Sequence, residues 1–159
     1  MSLLEKETVK RAEKALKDFN KAYEVIILDD SARTAQEAAS SLDCDVGAIV
    51  KSLLFKTEDS FILTLIAGDK RCSLSKLKEI LNEKNISMAS PENVKQQTGY
   101  TIGGVSPIGH MRKINILIDN SLERFNDLYA AAGHPNCVFK ISFANLQKIT
   151  KGKIKEIIE

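Results

Sequence analysis

The chain has 159 residues, 43% of them hydrophobic and 28% charged, with a formal net charge of +2. That length suits one domain able to bury roughly 70% of the surface its unfolded form exposes, and the balanced composition excludes a disordered or fibrous chain. A charge so near neutrality excludes a protein that coats nucleic acid, though not one that grips a single end of it.

Ala12, Ala15, Leu16, Phe19, Ala22 and Tyr23 recur at three- and four-residue steps, which predicts an amphipathic helix over much of Leu4 to Lys21. The opening segment, Met1 to Arg11, mixes acids with bases and lacks the apolar core of a signal peptide. Val25 to Leu28 reads as a strand, and Thr34 with Glu37 forms a T-x-x-E capping box that opens a helix at 34 to 42. Ala48 to Lys56 and Phe61 to Ala67 read as strands joined by the polar turn Thr57-Glu58-Asp59-Ser60. Apolar runs such as Phe61 to Ala67 fall far short of the ~20 residues a membrane span needs. A cytoplasmic protein with no membrane partner is expected.

Ser73 is placed to cap a helix carrying Leu74, Leu77, Ile80 and Leu81, and Ser90-Pro91 supplies a cap and a first-turn proline for another. Gly99 to Gly109 holds four glycines and Pro107 in eleven residues, so a shaped loop is expected there. Ile114 to Ile118 reads as a strand, Asn120 with Glu123 as the start of a helix that Gly133 closes, Cys137 to Ile141 as a strand, and Ser142 as the cap of a last helix. Strands joined by a tight turn, together with strands separated by helices, predict a mixed α+β architecture. This is a mixed β-sheet covered by helices, in a single domain over residues 1–159 without internal repeat.

Cys44, Cys72 and Cys137 are odd in number and irregularly spaced, which fits reduced thiols and neither a disulfide framework nor a zinc knuckle. Lys51 stands out among the charged residues. Period-two alternation puts it on one strand face with Ile49, Leu53 and Phe55, while Val50 and Leu54 make the other face apolar too. An ammonium is costly to bury unpaired, so Lys51 either snorkels to an edge or projects into a polar cavity where an anion meets it.

The loop from Gly99 to His110 offers backbone groups with little side-chain obstruction, which suits either a wall close to a ligand or a plain helix-to-strand connection. It carries neither G-x-x-x-x-G-K-[ST] nor G-x-G-x-x-G, so no nucleotide cofactor is expected. Ser106 lies outside any G-x-S-x-G pattern, and Pro107 lacks the N–H that such an elbow aims at an oxyanion. His110 and His134 have no partner ligands nearby in sequence, so no metal is expected and each reads as a surface or hydrogen-bonding histidine. The basic run Lys148, Lys151, Lys153, Lys155 either touches phosphates or, more commonly for such runs, is a solvated helix end.

Five segments taken together resemble the YbaK and prolyl-tRNA synthetase editing-domain family of aminoacyl-tRNA deacylases. They are Thr34-Ala-Gln-Glu-Ala-Ala39, Ile49-Val-Lys-Ser-Leu-Leu-Phe55, Ala67-Gly-Asp-Lys-Arg71, Thr98-Gly-Tyr-Thr-Ile-Gly-Gly-Val-Ser-Pro-Ile-Gly109 and Gly133-His-Pro-Asn136. Each is short, but five in order across one small chain are specific. The resemblance implies a mixed α/β fold with an editing pocket, Lys51 as the family's important lysine, and Gly103 to Pro107 as its G-x-x-x-P loop. On that reading Lys51 and Gly103 serve catalysis. Gly104, Val105, Ser106, Pro107, Ile108, Gly109 and His134 bind the aminoacyl group, while the basic residues Lys70, Arg71, Lys148, Lys151 and Lys153, read from charge alone, are the weaker candidates to touch the tRNA. His134 stands where a small residue is usual, and Ser73 where an acid or amide is common, departures that bear on substrate choice.

The implied substrate is a mischarged aminoacyl-tRNA carrying a small amino acid, cysteinyl or alanyl tRNA-Pro first and seryl or threonyl esters next. A synthetase is a further possible partner, and no cofactor is implied. A non-catalytic module binding tRNA or a synthetase, and an esterase for small molecules, are the competing readings. Intact Lys51 and Gly103 to Pro107 weigh against the first, and turnover of substrates lacking the tRNA would mark the second.

Overall fold

Helix α1 (Glu7–Phe19) buries Val9, Ala12 and Leu16 on one face, as its three- and four-residue spacing requires. It packs against strand β6 (Leu128–His134) in the computed structural model, which describes residues 2–30 and 32–159. Met1, part of the opening segment considered above, lies outside the described residues, as does Ser31.

Strand β1 (Ile26–Ile27), β6 and β7 (Cys137–Ile141) form a three-stranded antiparallel sheet in the order β1-β7-β6. The second sheet is mixed, with order β4-β2-β3-β5-β8. Its strands are β2 (Val50–Lys56), β3 (Phe61–Ala67), β4 (Ser87–Met88), β5 (Asn115–Asp119) and β8 (Lys153–Lys155). The β2–β3 pair is the expected hairpin, while β3–β5 and β5–β8 run parallel. A parallel bridge from Ile49 to Tyr129 joins the two sheets. Between them lies a core that includes Leu63, Leu65, Ile118, Leu128, Phe139 and Leu146, each 0% exposed.

The helices begin where short polar side chains satisfy first-turn donors. Thr34 and Glu37 form a reciprocal capping box ahead of α2 (Ala35–Leu42). Ser73, Ser90 and Ser142 accept from the backbone N–H of Lys76, Asn93 and Asn145, opening α3 (Leu74–Leu81), α4 (Pro91–Thr98) and α5 (Phe143–Thr150).

The helix expected from Asn120 to Gly133 does not form. Asp119, not Asn120, caps a short 3-10 turn over Asn120–Arg124, accepting from Ser121 N–H. The chain then becomes β6, where Leu128, Ala130 and Ala132 are buried in alternation while Tyr129 and Ala131 face the other side. That is a period of two, and sheet pairing with β7 outweighs the helical propensity of three consecutive alanines. The basic run likewise divides: α5 ends at Thr150, Lys151 turns the chain at φ 57°, and Lys153 and Lys155 lie on β8.

Candidate functional site

The site lies where β2 runs out of a neighbour. Strand β4 pairs with it only at Phe55 and Lys56, and Ala89 N–H adds one bond to the Leu54 carbonyl at 3.0 Å. At the other end the strand reaches the Ile49–Tyr129 bridge. The stretch between is an open edge, and it lines a cavity of about 350 Å³. Leu54 turns its carbonyl toward β4, so by strand alternation the peptide groups of Ser52 point the same way, into the opening. The Ser52 hydroxyl is buried there and has no hydrogen-bond partner among the described residues.

Small side chains shape the rest of the wall. Ala32, ahead of the α2 cap, and Ala35 and Ala38 within α2 recur every third residue and line the cavity with Tyr129, Ala131 and Val138 of the three-stranded sheet. Gly103, Val105 and Pro135 close a third side. Asn136 holds this corner in place: its side-chain amide donates to the carbonyls of Leu28 and Asp30 at 3.0 and 2.9 Å, and its own carbonyl accepts from Leu28 N–H at 2.7 Å.

Lys51 is half-buried on this wall. Its ammonium donates to the Lys70 carbonyl, in the segment Ala67 to Arg71. Burial pushes its pKa below the usual lysine range, and the neighbouring Asp69 carboxylate opposes that shift. Asp69 is itself held by Arg124 through two bonds, at 2.8 and 3.1 Å, so its charge is shared between the cations. The hydrogen bond from Arg124 is the main reason its carboxyl lies below the ordinary aspartate value. The Cys72 thiol is pushed up to about 11, chiefly by burial, and is no thiolate nucleophile at neutral pH. The cavity therefore has a half-buried lysine among its lining residues, a polar strand edge, Arg33 and Thr34 on its exposed side and an otherwise mostly apolar lining. Among the described residues it provides no serine or cysteine paired with a base: the Ser52 hydroxyl has no hydrogen-bond partner, and Ser106, 0% exposed, lies outside the lining.

Of the residues singled out by sequence, Lys51, Gly103 and Val105 share this cavity. Gly104 stands behind the wall, where a Cβ would come within 2.9 Å of the His134 Cα. His134, expected to bind the aminoacyl group, likewise lies outside the lining, and its Nδ1 accepts from Asn136 N–H at 3.0 Å. Pro107, Ile108 and Gly109 line a different cavity of about 420 Å³, together with Ile149 and Thr150. Lys70 contributes its carbonyl, and Arg71 is an exposed neighbour of Lys51 that further disfavours its charge. Lys148, Lys151 and Lys153 are exposed and outside the lining, with β8 at the sheet edge opposite β4 and about 14 Å from β2 by strand spacing.

Sequence reasoning missed Arg33, Ser52, Met88, Ile102, Tyr129 and Pro135 as lining residues. The capping box placed a helix start beside Arg33, but nothing local says that this start faces β2.

Residues 29–149 match the sequence model of the aminoacyl-tRNA editing domain. The uncharacterized protein YwhH of Bacillus subtilis is 31% identical over 86% of this chain and 87% of its own length. Proline–tRNA ligase of Brachyspira hyodysenteriae is 35% identical over 78% of this chain, which spans 22% of that enzyme. A crystal structure of a candidate trans-editing enzyme for prolyl tRNA synthetase superposes with a TM-score of 0.92 at 32% identity, covering 97% of this chain and 98% of that one.

Proposed function

The chain belongs to the aminoacyl-tRNA editing domain family, and from that premise we propose that it hydrolyses the ester of a mischarged aminoacyl-tRNA in trans. The proposed substrates are cysteinyl and alanyl tRNA-Pro first, then the seryl and threonyl esters. The observation that carries this reading is that Lys51 and Gly103 line one cavity whose walls are mostly small or apolar.

An aminoacyl ester is already labile, so positioning and charge stabilisation are enough. Water adds to the ester carbonyl, the bond to the ribose oxygen breaks, and that oxygen leaves with a proton as the tRNA hydroxyl while the amino acid departs as a carboxylate. Lys51, with one of its three protons on the Lys70 carbonyl, keeps two for a substrate oxygen that gains negative charge. The outward peptide groups of Ser52 and the backbone at Gly103 supply neutral donors and acceptors to orient the ester. Specificity is expected to follow from size, with the Gly103, Val105 and Pro135 corner as the wall that a large side chain would meet.

The test is a deacylation screen over tRNAs mischarged with small, branched and aromatic amino acids. Cysteinyl and alanyl tRNA-Pro should be cleaved fastest, with prolyl tRNA-Pro spared. Cleavage of aromatic esters at the same rate as alanyl esters would refute the size argument.

A further inference from the structure

The cavity interior explains where a small aminoacyl group fits, but the rim carries side chains that this role leaves unused. The exposed residues of the lining are Arg33, Thr34, Met88, Ile102 and Gly103. Met88 is 60% exposed and Ile102 is 63% exposed, although aliphatic side chains of that size are ordinarily covered. They come from separate elements, Met88 from the short β4 and Ile102 from the loop after α4, and both line the exposed side of one cavity. Arg33 joins them there from the residue before the α2 cap, and among the described residues it makes no ion pair. Two bare aliphatic side chains and an unpaired guanidinium at the mouth of one cavity match what a single-stranded RNA end requires: apolar surface for a base face and a cation for its phosphate.

We infer that Arg33, Met88 and Ile102 form a seat for the last nucleotide of the RNA. In this arrangement Met88 and Ile102 cover the terminal base, and Arg33 takes the phosphate on its 5′ side. The inference rests on the deacylase reading for the identity of the RNA, but it concerns binding and is read without hydrolysis. The seat lies outside the aminoacyl pocket, so it recognises every charged or uncharged 3′ end alike and contributes affinity, not amino-acid choice. The second cavity is the alternative location, since Met111 is 63% exposed beside Arg112 and Lys113, but neither Lys51 nor Gly103 opens onto it.

The test uses an uncharged acceptor-stem hairpin RNA ending in single-stranded CCA, the same hairpin without the terminal adenosine, and the full chain. Binding is measured across a salt series. Wild type should prefer the complete hairpin by about tenfold, the worth of one stacked base. Met88→Ser with Ile102→Ser should abolish that preference while keeping the salt slope. Arg33→Gln should keep the preference and flatten the slope by about 0.7, the contribution of one single-strand phosphate, and Arg33→Lys should restore it. All three positions are exposed, and circular dichroism checks the fold of each variant. Equal binding of both hairpins by wild type overturns the seat. So does a slope unmoved by Arg33→Gln but flattened by Arg112→Gln with Lys113→Gln. In either case continued cleavage of mischarged tRNA in the separate screen leaves the deacylase reading standing, and its absence removes that reading independently.

Discussion

The two halves of the glycine-rich loop do different work. Its first half, Ile102 to Val105, borders the cavity, and Gly103 adopts φ +98° there with only the Pro135 side chain, 3.4 Å from where a Cβ would sit, in front of it. Its second half, Ser106 to Gly109, is a buried anchor. Tyr100, 0% exposed, donates its hydroxyl to the carbonyls of Ile108 and Gly109 at 2.7 and 3.1 Å. Arg11 of α1 lies 4.6 Å from the Tyr100 ring centre and donates from Nε to the Gly109 carbonyl at 2.7 Å. His110 Nε2 sits 2.7 Å from the Ser106 carbonyl, an acceptor only, so that nitrogen carries the proton. A single sequence motif thus contains a ligand-facing wall and the fastening that fixes it, and the two should respond differently to substitution.

The largest loss of stability is expected in the anchor. Tyr100→Phe leaves the buried Ile108 carbonyl short of a donor, while the Gly109 carbonyl keeps that of Arg11, at a cost of about 1–3 kcal/mol. Thermal unfolding measures that loss, and activity of the remaining folded protein should stay within a few-fold. Burial holds the Tyr100 phenol up to about 12, so the hydroxyl remains a donor throughout the accessible pH range. Gly103→Ala should cost less stability, about 1–2 kcal/mol for a Cβ at positive φ, yet lower deacylation at least tenfold, because the wall itself shifts. If the two variants exchanged these phenotypes, the division of the loop would be wrong.

The smallest effect belongs to the ion pair beside Lys51. Asp69 and Arg124 are partly exposed, so Asp69→Asn should cost at most about 1 kcal/mol. The Asp69 pKa is depressed in the folded protein, so its stabilisation is present above the unfolded aspartate value and is lost as pH falls through the folded one. Acid unfolding of wild type and variant should therefore converge at low pH. Removing Asp69 should also lower the Lys51 pKa further, since that carboxylate is what sustains the charge.

Much of the scaffold was legible in the sequence because it is encoded locally. The Thr34–Glu37 box, the Ser73, Ser90 and Ser142 caps, and the β2–β3 hairpin each depend on neighbours a few residues apart. Strand β6 was misread because its alanines favour a helix, and only pairing with β7 reveals their alternation. Strand β8 was too short to show a pattern. Lys51 stood out in the sequence as a cation on an apolar strand and Gly103 through the resemblance of its loop, and both line the cavity. Ala32, Tyr129, Met88 and Ile102 are unremarkable in sequence, and they become neighbours only because two sheets leave β2 uncovered between Ile49 and Leu54.

The most direct test of the central claim is single-turnover deacylation of alanyl tRNA-Pro by wild type and Lys51→Ala, each followed across pH. Removing the cation from the wall should slow cleavage on the order of 10²-fold, with circular dichroism unchanged. Because burial lowers the Lys51 pKa, the enzyme-dependent wild-type rate should fall on the alkaline side below 10.5. Over the same range stability should rise slightly, because the unfolded chain holds that proton longer than the folded one. A folded Lys51→Ala protein that cleaves the ester at the wild-type rate, with the alkaline limb unmoved, would contradict the account.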